Sequence, residues 1–356
     1  MSDTTAAAAQ SVHLLYSNRT TWRKAVGYAQ EAVALLQRDP DSPIGHYALA
    51  AIAEFRGDLA LTEAHLLRTG LRIGMDYDDY SLVVHRSFEK RYLEGAAARQ
   101  GIAPRFILSL PKSGSTFVAE CFARLAGLPR ARVSKGSFTT GRIIPPWLET
   151  FGWAGGVLHD HFPASPENRE RLQARPPQAV VLLVRDPVTA AMSMADFILS
   201  EGMDKFFARE LGEADLSYVR ALPPELQRSV LFQKLFPRMA AWIDGWLDFV
   251  AGGAMPGSRF ALVRFEDLVA DNVRVLAALE QHFDGRGGRF DANDAACLRE
   301  VEALYAGLRE TQGNLMSVHR GRRQVVLGDV EKELVWRAFL GHRHLRQVYD
   351  LSGHLT

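Results

Sequence analysis

Three short apolar runs constrain the fold of this chain more than any other feature: Arg105–Leu110, Ala179–Val184 and Phe260–Arg264. The first leads into a loop containing proline and glycine, and the second is rich in β-branched residues. Each therefore reads as a buried strand. Helical spacing fills the intervals, at Thr116–Leu125, Pro187–Leu199, Phe232–Val250 and Val273–Phe283. Strands that alternate with helices predict an α/β fold class built on a parallel sheet. In such sheets ligands sit beyond the carboxyl ends of the strands. The loops after Leu110 and Val184 are thus expected at one edge, facing one ligand.

The first hundred residues have a different texture. Apolar positions in Trp22–Arg38, His46–Phe55 and Leu59–Leu71 recur at helical spacing, and Tyr77–Arg99 reads as one more helix. Ala25 pairs with Ala60, Val26 with Leu61 and Ala29 with Ala64, at a spacing of about 35 residues that resembles a tetratricopeptide repeat. The predicted division is a helical region over 1–100 and an α/β domain over 101–356, with Gly95–Gly101 at the boundary. The helical region could hold a protein partner, drive self-association, or simply pack on the main domain.

Charge and cysteine content exclude several classes. The formal net charge is +1, and no long basic run points to nucleic acid. Two cysteines, Cys121 and Cys297, cannot form a disulfide framework and favour a reducing compartment. Met1–Gln10 lacks the basic start and apolar core of a signal peptide, and no run of 18 apolar residues predicts a membrane span. The expected setting is cytoplasmic.

The loop Leu110–Phe117 carries the chemistry. Lys112 adds charge, Ser113, Ser115 and Thr116 add hydroxyls, and Gly114 allows close backbone approach. A helix N-terminus following such a loop attracts anions. The usual ATP/GTP loop, Gly-x-x-x-x-Gly-Lys-Ser/Thr, is absent: here the lysine stands two residues before the only glycine. Pro111-Lys112-Ser113-Gly114-Ser115-Thr116-Phe117 instead resembles the 5′-phosphosulfate loop of sulfotransferases dependent on PAPS (3′-phosphoadenosine 5′-phosphosulfate). Arg185-Asp186-Pro187, with Ser193 two helical turns on, resembles that family's 3′-phosphate site.

The resemblance covers roughly Arg105–Leu345 and implies a three-layer parallel sheet flanked by helices. It implies sulfuryl transfer from PAPS to a hydroxyl or amine, with PAP (3′,5′-bisphosphoadenosine) released and no metal required. His161-Phe162-Pro163 resembles the family's catalytic histidine segment, which makes His161 the candidate base. Imidazole suits that task because its reference pKa is about 6.5. His159 stands where the family often has lysine and would donate to the sulfuryl group. A structural histidine pair, a His-x-His metal site and a base elsewhere are the alternatives. Phe117 would stack on adenine. Leu262–Leu268 resembles a later structural segment with an adenine-side contact. Arg320-Gly321 resembles a late loop that completes the 3′-phosphate site, with Arg322 and Arg323 as alternatives. Trp147, Trp153, Phe197, Phe206 and Phe207 are candidates for an acceptor pocket or for core. The expected acceptor classes are small molecules, glycans, lipids and peptides. A small-molecule kinase and an inactive nucleotide-binding interaction protein are the other readings.

Overall fold

The computed structural model describes residues 102–355 apart from 136, 144–147, 149–150, 152–154, 202–206, 209, 214–215, 254, 284–293 and 312–325, together with scattered positions between 30 and 68. The paired positions Ala25, Val26, Ala29 and Ala60, and the boundary at 95–101, lie outside the described residues.

β1 (Arg105–Ser109) leads into α1 (Ser115–Leu125) and β2 (Arg130–Ala131). A small antiparallel pair follows, β3 (Ser134–Lys135) with β4 (Arg142–Ile143), then β5 (Val157–Asp160) and α2 (Pro166–Ala174). Next come β6 (Ala179–Val184), α3 (Pro187–Glu201), α4 (Ser217–Arg220) and α5 (Pro224–Ala251). β7 (Arg259–Arg264), α6 (Phe265–Ala270), α7 (Asn272–His282), α8 (Ala295–Thr311), α9 (Asp329–Gly341) and α10 (Leu345–Val348) complete the order, before a 3-10 turn at Leu351–His354.

The main sheet has five strands in the order β2-β5-β1-β6-β7. Every neighbouring pair is parallel. Alternate side chains of the central strands enter two separate cores. Phe106, Leu108, Val180 and Leu182 pack on one face, with Leu235, Trp242 and Trp246 of α5. Ile107, Val181 and Leu183 pack on the other, with Phe117 and Cys121 of α1, Leu276 of α7 and Val301 of α8. Each such side chain contributes about 1.5–3 kcal/mol on burial. A sheet covered on both faces explains why the central strands read as continuous apolar runs.

Three differences from the sequence expectation have physical causes. β5 is a full member of the sheet although His159 and Asp160 break its apolar pattern. Its four residues are all buried because the polar pair is satisfied internally. β7 is an edge strand, so Leu262 in the predicted buried run is 44% exposed. α5 starts earlier than its periodicity suggests, since Pro224 occupies a first-turn position where its missing N–H costs nothing.

At the amino end of β1, Arg105 is 1% exposed and grips Glu280 of α7 with two bonds, Nη2 to Oε1 at 2.7 Å and Nε to Oε2 at 3.3 Å. Its guanidinium also lies 5.5 Å from the ring centroid of Phe122. Glu280→Ala would leave that buried cation without its carboxylate. The expected loss of stability is about 3–5 kcal/mol, read from urea denaturation.

Candidate functional site

The parallel sheet brings the loops after β1, β5, β6 and β7 to one edge. After Ser109 the chain makes one more sheet bond, Leu110 N–H to the Leu183 carbonyl at 2.9 Å. It then turns sharply through Lys112 (φ 70°) and Gly114 (φ 77°), both left-handed. Gly114 is the N-cap of α1 and brings no capping side chain, so the positive end of that helix faces the loop. A Cβ on Gly114 would sit 3.1 Å from Leu268 Cδ2 and 3.2 Å from Phe265 Cδ2.

The loop side chains divide by exposure. Lys112 and Thr116 are half-buried, while Ser113 and Ser115 are buried. Ser113 Oγ has no hydrogen-bond partner among the described residues, which suits a donor waiting for a ligand oxygen. Lys112 Nζ lies 4.6 Å from the ring centroid of Phe197 on α3. Phe117 is corrected: it is 1% exposed and sits in the core beneath the sheet, so an adenine could not stack on it without entering that core.

The β6 loop docks directly on the β1 loop. Arg185 Nη1 donates to the Lys112 carbonyl at 3.0 Å, and Nε donates to Thr189 Oγ1 at 3.1 Å. The guanidinium carbon lies 4.4 Å over the ring of Phe265. Asp186 caps α3 by accepting from Thr189 N–H at 2.9 Å. Ser193 lies further along α3 and is buried. Glu266 accepts from Asp186 N–H and from the Tyr349 hydroxyl, each at 3.1 Å. His354 Nε2 meets Asp186 Oδ2 at 2.9 Å. Sequence reasoning missed this C-terminal latch, because nothing local in Tyr349 or His354 points to residues so far back in the chain.

β5 and the loop after it supply the histidines. His161 Nδ1 lies 2.8 Å from the Ser109 carbonyl. A carbonyl only accepts, so Nδ1 carries the proton and Nε2 carries the lone pair. Burial lowers His161 to about 4, which leaves it neutral near pH 7. Burial, followed by the charges of His161, Arg130 and Arg132, also holds His159 well below the usual range. Both ring nitrogens of His159 are engaged, Nε2 with Ser109 Oγ at 3.3 Å and Nδ1 with Arg130 Nη2 at 3.4 Å. The expectation that His159 donates to a ligand is corrected on that ground.

The peptide around His161 is pinned from below. Trp242 Nε1 donates to the carbonyls of His161 (2.8 Å) and Phe162 (3.0 Å), and Trp246 Nε1 donates to Phe162 at 3.1 Å. Asp160 accepts from Val133 N–H at 2.7 Å, from Arg132 Nε at 3.1 Å and from Ser134 Oγ. Its burial raises its pKa against those donors. Sequence reasoning passed over Ser109, Arg130 and Asp160; the buried charge in β5 was the one available signal. Among the described residues no group of three His, Cys, Asp or Glu side chains could hold a metal.

Arg320, Gly321, Arg322 and Arg323 lie outside the described residues, as do Trp147, Trp153 and Phe206. Phe207 is core, whereas Phe197 is half-buried beside Lys112. No helix among the described residues is long and apolar enough to cross a membrane.

No protein-family model matches the chain, and no curated protein matches it. Among solved structures, the crystal structure of mouse sulfotransferase SULT7A1 complexed with PAP matches with a TM-score of 0.45 and 14% identity, over 76% of this chain and 96% of that one. A likeness that distant assigns neither a ligand nor a residue here.

Two outcomes follow from the loop and the latch. Gly114→Ala adds a Cβ in left-handed backbone against Leu268 and Phe265, and should lower unfolding free energy by about 2 kcal/mol in urea titrations. The bond to Asp186 raises the pKa of His354, so the stability it contributes is complete below about pH 6.5 and fades as pH rises through the raised value. Against wild type, His354→Gln should therefore lower the thermal midpoint at about pH 5.5 and change it little at about pH 9.

Proposed function

We propose that the chain transfers a sulfuryl group from PAPS to a hydroxyl or amine acceptor and releases PAP. One observation carries this reading: three loops lock together through the backbone of residues 109–112, the end of β1 and the turn after it. Arg185 from the β6 loop holds the Lys112 carbonyl, and His161 from the β5 loop holds the Ser109 carbonyl. A phosphate-binding turn, a guanidinium and a neutral imidazole with a free Nε2 thus share one sheet edge.

The residues present fit such a donor. The orphaned Ser113 hydroxyl lies beside Gly114, which has no Cβ, at the start of α1. When bound there, PAPS would supply the sulfuryl group and a phosphate leaving group. Lys112, with the hydroxyls of Ser113, Ser115 and Thr116, would balance charge growing on the 5′ side. Arg185 and Ser193 would hold the 3′-phosphate, with Arg320 and Gly321 closing that site. Nε2 of His161 would take the acceptor's proton. A bound polyanion raises the affinity of His161 for that proton, offsetting the effect of burial.

The same reading makes residues 101–356 the transfer domain of a cytoplasmic enzyme that needs no metal. Residues 1–100 are left as a helical region for a protein partner or self-association. Phe197, beside Lys112, would line the acceptor side.

Calorimetry with PAP and ATP on wild type, Lys112→Ala and Arg185→Ala tests the site. Each substitution should weaken PAP binding about tenfold or more, since charge-assisted bonds contribute about 1.5–3 kcal/mol. Unchanged PAP affinity in both variants, or ATP binding tighter than PAP, would sink the assignment. Radiolabelled PAPS offered with phenol, alcohol, sugar and amine acceptors then identifies the class.

A further inference from the structure

We propose that His159 is a positioning residue which, with Arg130 and Ser109, holds His161 in the tautomer that a base requires. This rests on the role of His161 given above. The inference starts from donors and acceptors. Arg130 Nη2 lies 3.4 Å from His159 Nδ1, and a guanidinium only donates. Nδ1 of His159 therefore keeps its lone pair, and Nε2 carries the proton. That N–H points to Ser109 Oγ at 3.3 Å. Ser109 meets both rings, with its hydroxyl against His159 and its carbonyl against His161.

The hydroxyl is also a hazard. Ser109 Oγ lies 3.0 Å from His161 Nδ1. If its proton turned toward Nδ1, the opposite tautomer of His161 would be favoured. That form carries its proton on Nε2 and has no lone pair there for an acceptor's proton. His159 works against this in two ways. Its N–H takes one lone pair of the serine oxygen and fixes the rotation of that hydroxyl, which leaves the hydroxyl proton to the Asp160 carbonyl, 3.5 Å away. Its ring also stands edge-on to His161, with centroids 4.9 Å apart at 77°, and limits rotation of that ring.

Arg130 extends the chain back to the phosphate loop. Its Nη1 pairs with Glu120 on α1, the helix that the loop initiates. Base orientation and loop position are thereby tied to one helix. Neither Arg130 nor His159 needs to touch a ligand for this.

Ring-nitrogen NMR shifts of the full chain, labelled at histidine, read the tautomers directly and need no substrate. Wild type should show His161 protonated on Nδ1 and His159 on Nε2. In His159→Leu the single His161 tautomer should give way to a mixture. His159→Gln places an amide N–H where Nε2–H stood, and should restore it. Ser109→Ala keeps the carbonyl and leaves Arg130 on His159 Nδ1, so both histidines should keep their wild-type tautomers; Arg130→Leu removes that donor, so His159 should lose its fixed tautomer, and this variant serves if His159→Leu fails to fold. A wild-type His161 protonated on Nε2 overturns the proposal. So does an unchanged His161 in His159→Leu, or an unchanged His159 in Arg130→Leu. Turnover of PAPS should fall roughly tenfold or more in His159→Leu while PAP affinity holds. If wild type shows no transfer at all, the earlier reading fails while the tautomer measurements still decide this one.

Discussion

The parallel pairing of β1 between β5 and β6 is the constraint on which the rest depends. β1 is buried along its whole length, and its register places Leu108 opposite Asp160 and Ser109 opposite Leu183. A parallel arrangement sends all three carboxyl ends to one side. Antiparallel pairing would have separated Ser109 from His161 or from Arg185. The Arg105–Glu280 pair fixes the other end of the strand, so β1 cannot slide without exposing a buried ion.

Around that strand the site is built from backbone as much as from side chains. The carbonyl of Ser109 orients His161, the carbonyl of Lys112 receives Arg185, and two indole N–H groups hold the carbonyls on either side of the His161–Phe162 bond. Backbone acceptors are present whatever the side chain, which lets the loop carry residues chosen for charge and hydroxyl content. Asp160 does the opposite work. Its carboxylate is buried at the end of β5 and draws the 132–134 segment onto the sheet.

Much of this was legible in the sequence. The strands at 105, 179 and 259 follow from continuous apolar runs, and the turn at 110–117 follows from its lysine, glycine and hydroxyls between strand and helix. What remained hidden depends on pairing across long separations. β5 looked polar because the partners that satisfy His159 and Asp160 come from Ser109, Arg130 and Arg132. Phe117 looked like a ligand-stacking ring because local sequence does not say which side of α1 meets the sheet. The latch of Tyr349 and His354 onto Glu266 and Asp186 spans more than eighty residues, beyond any local pattern.

Lys112 adopts a left-handed backbone, which costs a residue with a Cβ roughly 1–2 kcal/mol. Glycine would adopt the same φ without that penalty. A chain selected only to fold well would carry glycine at this position. Under the proposed function, the lysine side chain represents a trade of stability for chemistry, located at one residue of the turn.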